Sequence, residues 1–180
     1  MLDEGSFRFD NLTNSIGVLV LAGPRAPDIL VKVTRTDLSN AVFPWLSGKI
    51  IDVNLAPATA VRVNFVGELG WELHHPIEYQ NHIFDALMAA GAEFGLNPFG
   101  IRAMDAMRLE KSYRLVGTEL SIEYAALESG VQRFVQLTKG DFKGQRRLAE
   151  GQERGFANHM VTLEVHDTPD ADALGSHTLT

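Results

Sequence analysis

Apolar and polar residues recur at two spacings along this chain, and each spacing predicts one kind of element. Alternating or continuous apolar runs are typical of strands, and they occur over Ile16 to Ala22, Lys49 to Leu55, Ala58 to Val66 and Trp71 to His74. A recurrence of about 3.6 residues is typical of amphipathic helices, and it occurs over Ile77 to Gly91 and Ile101 to Lys111. These six segments define the predicted framework.

Weaker signals add further elements around that framework. Strand-like runs cover Phe7 to Leu12, Val131 to Leu137 and His159 to Val165, while helical patterns cover Pro27 to Val33 and Gln145 to Gln152. The order is not a regular βαβ alternation, so the predicted class is α+β. We predict a ferredoxin-like split βαβ core over residues 7–95, a helical and strand continuation over 96–165, and a loop or truncated end over 166–180. The polar C-terminal stretch leads us to expect a fragment of a longer polypeptide.

Composition narrows the function classes. The formal net charge is −7, which argues against a nucleic-acid partner, because such partners need clustered Lys and Arg. There are no cysteines, so thiolate metal sites and disulfides are excluded. The chain has no apolar run of membrane-spanning length, so no membrane partner is predicted either.

The stretch from Val61 to Leu73 carries the main candidate for ligand binding. A strand pattern enters a turn containing Gly67 and Gly70, and both glycines permit close backbone approach. Glu72 follows between two apolar neighbours, where a carboxylate could accept two hydrogen bonds from adjacent N–H groups of a planar heterocycle. The alternative is a strand glutamate that faces solvent, and spacing alone favours that alternative.

Other polar residues have simpler interpretations. His74 and His75 are adjacent on a strand and point to opposite faces, so they do not predict a metal site. Asp105 and Arg108 are spaced to pair on a helix, which by itself indicates a solvated face. Glu128 precedes a predicted strand and could accept backbone N–H bonds or simply be exposed.

Five sequence blocks in order resemble the aminomethyltransferase family, the tetrahydrofolate-binding T-protein of the glycine cleavage system. Within it, they are most similar to the folate-binding part of dimethylglycine and sarcosine dehydrogenases. The blocks are Val20–Leu30, Phe65–Leu73, Phe99–Gly117, Ala126–Leu137 and Lys139–Leu148. The resemblance implies that the chain is a fragment of the T-protein folate-binding fold.

The resemblance also implies folate contacts at particular positions. The family's YTGExGxE pattern falls on Phe65 to Glu72, so Glu72 would hydrogen-bond the pterin ring and Phe65 would replace a tyrosine that packs beside the folate. Trp71 is included among the predicted contacts, with core packing as its alternative. The ARDxLRLE pattern places Met104 where the family has its first arginine and keeps the second as Arg108. The catalytic residue stays unknown, because the family's aspartate belongs to a segment upstream of any that this chain matches.

The implied function is the tetrahydrofolate-binding part of an enzyme that transfers a one-carbon unit. The expected partners are a folate and a methylated amine or aminomethyl donor, FAD would belong to an upstream domain, and homo-oligomerisation stays open. We expect this chain alone to be inactive, and its compartment to be the cytoplasm, or the mitochondrion in a eukaryote. Two alternatives remain: a non-catalytic folate-binding regulatory module, and a structural scaffold.

Overall fold

The structure is a computed structural model that describes residues 8–156 and 158–163. Its strands are β1 (Ile16–Ala22), β2 (Gly48–Val53), β3 (Ala56–Val61) and β4 (Gly70–Pro76). Its α-helices are α1 (Ala26–Val33), α2 (Gln80–Gly91), α3 (Ile101–Glu110) and α4 (Gln145–Arg154). Single 3₁₀ turns occur at Ile77–Tyr79, Ala92–Phe94 and Gln132–Phe134. The predicted α+β class is confirmed.

The four strands form one antiparallel sheet in the order β1-β4-β3-β2. Helix α1 connects β1 to β2, which lie at opposite edges of the sheet and run in opposite directions. A ferredoxin-like order would place the first strand in the interior of the sheet. Local periodicity identifies the strands but does not specify their order in the sheet, so the order is known only from the structure.

A two-residue turn, Asn54-Leu55, joins β2 to β3. Both residues have positive φ, 47° and 72°, as a type I′ hairpin turn requires. Val53 and Ala56 pair directly across it, which sets the register of the hairpin. Asn adopts this conformation readily, whereas Leu does so only with steric strain.

The hydrophobic core lies on one face of the sheet, under α1 and α2. Alternation along each strand sends every second side chain to that face, and helices α1 and α2 also pack against each other. The largest fully buried apolar side chains are Leu30, Phe43, Trp71, Leu73 and Ile83. The opposite face carries Val18, Val20 and Ile50, all of them exposed in the described structure.

The chain divides into two compact units between Tyr113 and Arg114. The first contains the sheet and α1 to α3, so α3 belongs with the sheet. The second contains α4 and irregular segments, in which Arg114 donates to the carbonyl of Ser129 and the Met160 N–H donates to the carbonyl of Glu128. Over the part of the chain that the structure describes, no helix is long and apolar enough to cross a membrane.

Three of the weaker strand predictions are wrong within the described residues. Residues 8–12 form no strand, and short-range bonds such as Arg8 to Asp10 occupy their polar groups. The segment Val131 to Leu137 contains a 3₁₀ turn, with Phe134 largely exposed. Residues 159–163 are also irregular, and 164–165 lie outside the described residues. In each case apolar and polar residues alternate locally, but a strand also needs a neighbouring strand to pair with, and alternation does not indicate whether one is present.

Candidate functional site

The loop between β3 and β4 is a turn held closed by the side chain of Asn64 and by a backbone bond to the end of β1. Asn64 accepts the N–H of Val66 at 3.0 Å and donates to the carbonyl of Glu68. The N–H of Gly23 donates to the carbonyl of Leu69 at 2.8 Å, which ties this turn to the end of β1. The predicted glycine turn is therefore fixed at both ends before β4 begins.

Close backbone approach requires a glycine where β4 starts. A Cβ at Gly70 would lie 2.3 Å from the carbonyl oxygen of Leu21 and 2.9 Å from the Cα of Ala22, both backbone atoms. Gly67 has φ of 74°, and a Cβ there would meet the side chain of Lys111. The two glycines thus let the turn lie against β1 and the end of α3.

Glu72 lies on the face of the sheet opposite the core. Its strand position pairs with Val20 of β1 on one side and Val61 of β3 on the other. The side chain is 32% exposed, so the carboxylate is partly shielded by these apolar neighbours and still reaches solvent. A partly desolvated carboxylate bonds a polar ligand more strongly than a fully hydrated one.

His74 shares this face and contacts the carboxylate directly. Its Nε2 lies 3.1 Å from Oε2 of Glu72, and its side chain is 36% exposed. The neighbouring His75 is buried on the core side, where its Nδ1 donates to the carbonyl of Leu73 at 2.9 Å. The prediction that the two histidines occupy opposite faces is confirmed. Among the described residues no group of three His, Asp or Glu side chains could hold a metal ion.

Trp71 occupies the core side of β4. Its ring is fully buried and lies edge-on to Phe43, with centroids 6.2 Å apart. The guanidinium of the buried Arg62 lies over the ring at 5.5 Å. The indole therefore packs on the opposite side of the strand from the carboxylate of Glu72, and the predicted folate contact of Trp71 stays a prediction.

Phe65 lies next to the end of α3. Its ring is half-buried, and its centroid is 6.3 Å from that of Tyr113. Lys111 forms an ion pair with Glu68 at 3.4 Å, so two contacts connect the glycine turn with the residues after α3. The first unit thus brings Phe65 close to Tyr113, a contact that the sequence alone did not predict.

Arg108 and Met104 lie on α3. Arg108 is 3% exposed, and its Nε donates to Asp105 at 2.6 Å while its Nη1 donates to the carbonyl of Tyr113 at 2.9 Å. The predicted Asp105–Arg108 pair is confirmed, but Arg108 is buried and does not belong to a solvated face. Met104 is half-buried. The folate contacts predicted for both residues stay predictions.

Two open clefts occur in the second unit, with volumes of about 420 and 650 Å³. Side chains of Phe142, Gln145 and Arg146 help to line the smaller one, and Glu128, Arg147 and Arg154 the larger. None of the five predicted site residues lines either cleft. The candidate site is the open sheet face around Glu72, in the first unit.

Comparison with known proteins gives consistent matches. The model of the GCVT N-terminal domain family matches residues 2–139. Human mitochondrial dimethylglycine dehydrogenase is 41% identical over 170 residues, which are 94% of this chain and 20% of that protein. An aminomethyltransferase of Thermoanaerobacter pseudethanolicus is 34% identical over 158 residues, 88% of this chain and 43% of that protein. The chain thus spans less than half the length of these relatives.

A solved structure also matches part of the chain. It is the heterotetrameric sarcosine oxidase from Corynebacterium sp. U-96 in complex with pyrrole 2-carboxylate, with a TM-score of 0.43 and 25% identity. The match covers 49% of this chain and 44% of that one.

Proposed function

Because the chain belongs to the family of GCVT N-terminal domains, we propose that it binds a reduced folate and forms part of a protein that transfers a one-carbon unit. Relatives named dimethylglycine dehydrogenase and aminomethyltransferase support this class of reaction. The proposed ligand is tetrahydrofolate, and the proposed donor is a methylated amine or an aminomethyl group. For the whole protein to which this chain belongs, we further propose FAD as a cofactor, a homo-oligomeric state, and a cytoplasmic or mitochondrial location.

The position of Glu72 is the observation that carries this proposal. Among the described residues, the structure gives its carboxylate one hydrogen bond, at Oε2, which leaves Oε1 available to a ligand. A reduced pterin presents adjacent N–H groups, and a carboxylate can accept both of them in one plane. The apolar side chains of Val20 and Val61 on either side suit the flat ring of such a ligand.

Binding of the folate would contribute chiefly by holding its nucleophilic nitrogen close to an electrophilic carbon. Such positioning can supply much of the rate gain for a transfer reaction without a protein nucleophile. The sequence contains no cysteine and no G-x-S-x-G motif, which agrees with a positioning role. The residue that assists proton transfer during the reaction is not assigned.

Anaerobic titration calorimetry with tetrahydrofolate tests the proposal. The substitution Glu72→Gln should weaken binding by about 2 kcal/mol, or roughly 30-fold, because the amide loses the charge and one acceptor. Glu78→Gln is the matched control, since Glu78 is exposed in the 3₁₀ turn after β4 and should not affect affinity. Equal affinity of the unsubstituted chain and Glu72→Gln would contradict the assigned role.

A second assay separates binding from catalysis. The chain is mixed with tetrahydrofolate and formaldehyde, and methylene transfer is followed against a protein-free reaction. Acceleration would support an enzyme whose transfer site lies within this chain. Tight binding without acceleration would agree with the expectation that this chain alone is inactive, and it would fit both the main proposal and a non-catalytic folate-binding module.

A further inference from the structure

We propose that His74 is a positioning residue that fixes the carboxylate of Glu72 for ligand binding, an inference that rests on the proposed function. The two residues are two positions apart on β4, so strand alternation brings their side chains to the same face. An ionised carboxylate only accepts hydrogen bonds, so Nε2 of His74 must carry the proton in this 3.1 Å contact.

The neighbours of this pair explain why such a partner matters. Glu72 is flanked across the strands by Val20 and Val61, whose side chains offer it no hydrogen bond. Without His74, the glutamate would keep its freedom about several side-chain bonds and would lose that freedom when a ligand binds. A carboxylate already held by His74 loses less conformational entropy when a ligand binds, which is the effect of preorganisation.

The contact also leaves the ligand-facing part of the carboxylate accessible. His74 reaches Oε2, while Oε1 receives no hydrogen bond from any residue of the described part. Val18 and Thr59 lie opposite His74 on the adjacent strands, so the imidazole is bounded on both sides. His74 uses one lone pair of Oε2, so a ligand can still bond Oε1 together with the remaining lone pair of Oε2.

A double-mutant cycle on the 180-residue chain, with anaerobic calorimetry of tetrahydrofolate, tests this role. His74→Ala should weaken binding by about three- to fivefold, the range typical of a partly exposed pair of polar side chains. His74→Gln should recover most of that loss, because its amide N–H can also donate to Glu72. In the Glu72→Gln background the His74→Ala substitution should change affinity far less, since the partner is already altered.

Controls separate positioning from folding. His82→Ala removes a histidine from α2, where its Nε2 donates to the carbonyl of Asn54 at 2.8 Å, and it should leave affinity unchanged. A ¹⁵N spectrum of the ligand-free chain should show His74 protonated at Nε2, and Glu72→Gln should shift that signal. This spectroscopic reading does not depend on any ligand.

The outcomes are distinguishable. If the unsubstituted chain binds, Glu72→Gln weakens binding and His74→Ala does not, the inference about His74 is wrong while the proposed function stands. An Nε2 signal that Glu72→Gln leaves in place would also overturn the inference. Failure of the unsubstituted chain to bind tetrahydrofolate would overturn the proposed function, and with it any role of His74 in that binding.

Discussion

Strand alternation separates the roles of consecutive residues in β4. Glu72 and His74 face outward, while Trp71 and His75 lie on the core side. The period of two residues was visible in the sequence, and it placed the two histidines correctly. The same period places Glu72 and His74 on one face, but it does not show that their side chains bond.

Side-chain contacts between distant segments were less accessible to sequence reasoning. The i,i+3 spacing predicted the bond from Arg108 to Asp105, but the burial of Arg108 depends on the carbonyl of Tyr113, which a bend after α3 brings back to it. The proximity of Phe65 to Tyr113 likewise needs the path of the chain over nearly fifty residues. No local pattern contains that information.

The first prediction concerns the glycine at the start of β4. Gly70→Ala should lower the free energy of unfolding by about 2 kcal/mol, because the added methyl group would overlap the backbone of Leu21 and Ala22. Gly48→Ala is the control, since the nearest atoms to a Cβ there are 3.8 Å away. Urea denaturation followed by circular dichroism measures both, and equal midpoints for the two variants would contradict the proposed overlap.

At the scale of the elements, the sequence predicted the framework well where a segment was long and periodic. The strand predicted over Ile16 to Ala22 is observed with the same bounds, and the helix predicted over Ile101 to Lys111 ends one residue earlier. The predicted strand from Ala58 to Val66 extends too far, since β3 ends at Val61 and the side chain of Asn64 bonds within the turn that follows. Asn commonly competes with strand hydrogen bonding in this way.

The hairpin between β2 and β3 gives the second prediction. Leu55 is 81% exposed and has φ of 72°. This conformation costs a residue other than glycine about 1 kcal/mol, because the Cβ lies too close to the following carbonyl oxygen. Leu55→Gly should therefore raise the free energy of unfolding, because Asn-Gly is the preferred pair for a type I′ turn. Thermal unfolding should show a higher Tm for this variant.

A control distinguishes relief of strain from removal of an exposed apolar side chain. Leu12 is also exposed and does not adopt a positive φ. Leu12→Gly should leave Tm unchanged or lower it slightly, since glycine increases the entropy of the unfolded chain. A Tm gain of the same size in both variants would show that strain at Leu55 is not the cause.

At the scale of the whole molecule, the chain has two tryptophans in very different surroundings, and this provides the third prediction. Trp71 is fully buried and Trp45 is 69% exposed. Iodide should therefore quench one part of the fluorescence and leave the other part nearly unaffected. Trp45→Phe should remove the quenchable part, and Trp71→Phe should remove the protected, blue-shifted part.

The comparison of the two variants tests the assembly of the first unit in the intact chain. Strong quenching of Trp71 by iodide in the Trp45→Phe variant would mean that the core between the sheet, α1 and α2 is not formed as described. The sequence indicated that Trp71 was either core or ligand contact, and only the three-dimensional packing against Phe43 locates its ring.

The interior position of β4 in the sheet determines how stably the backbone of Glu72 is held. At Glu72 the strand has β1 on one side and β3 on the other, so its backbone cannot open without disrupting both ladders at once. Local fluctuations usually begin at edges and termini, where fewer bonds resist them. In a hydrogen–deuterium exchange experiment, the amides of β4 should therefore be among the last to exchange. The carboxylate of Glu72 is attached to backbone that moves only when the sheet unfolds.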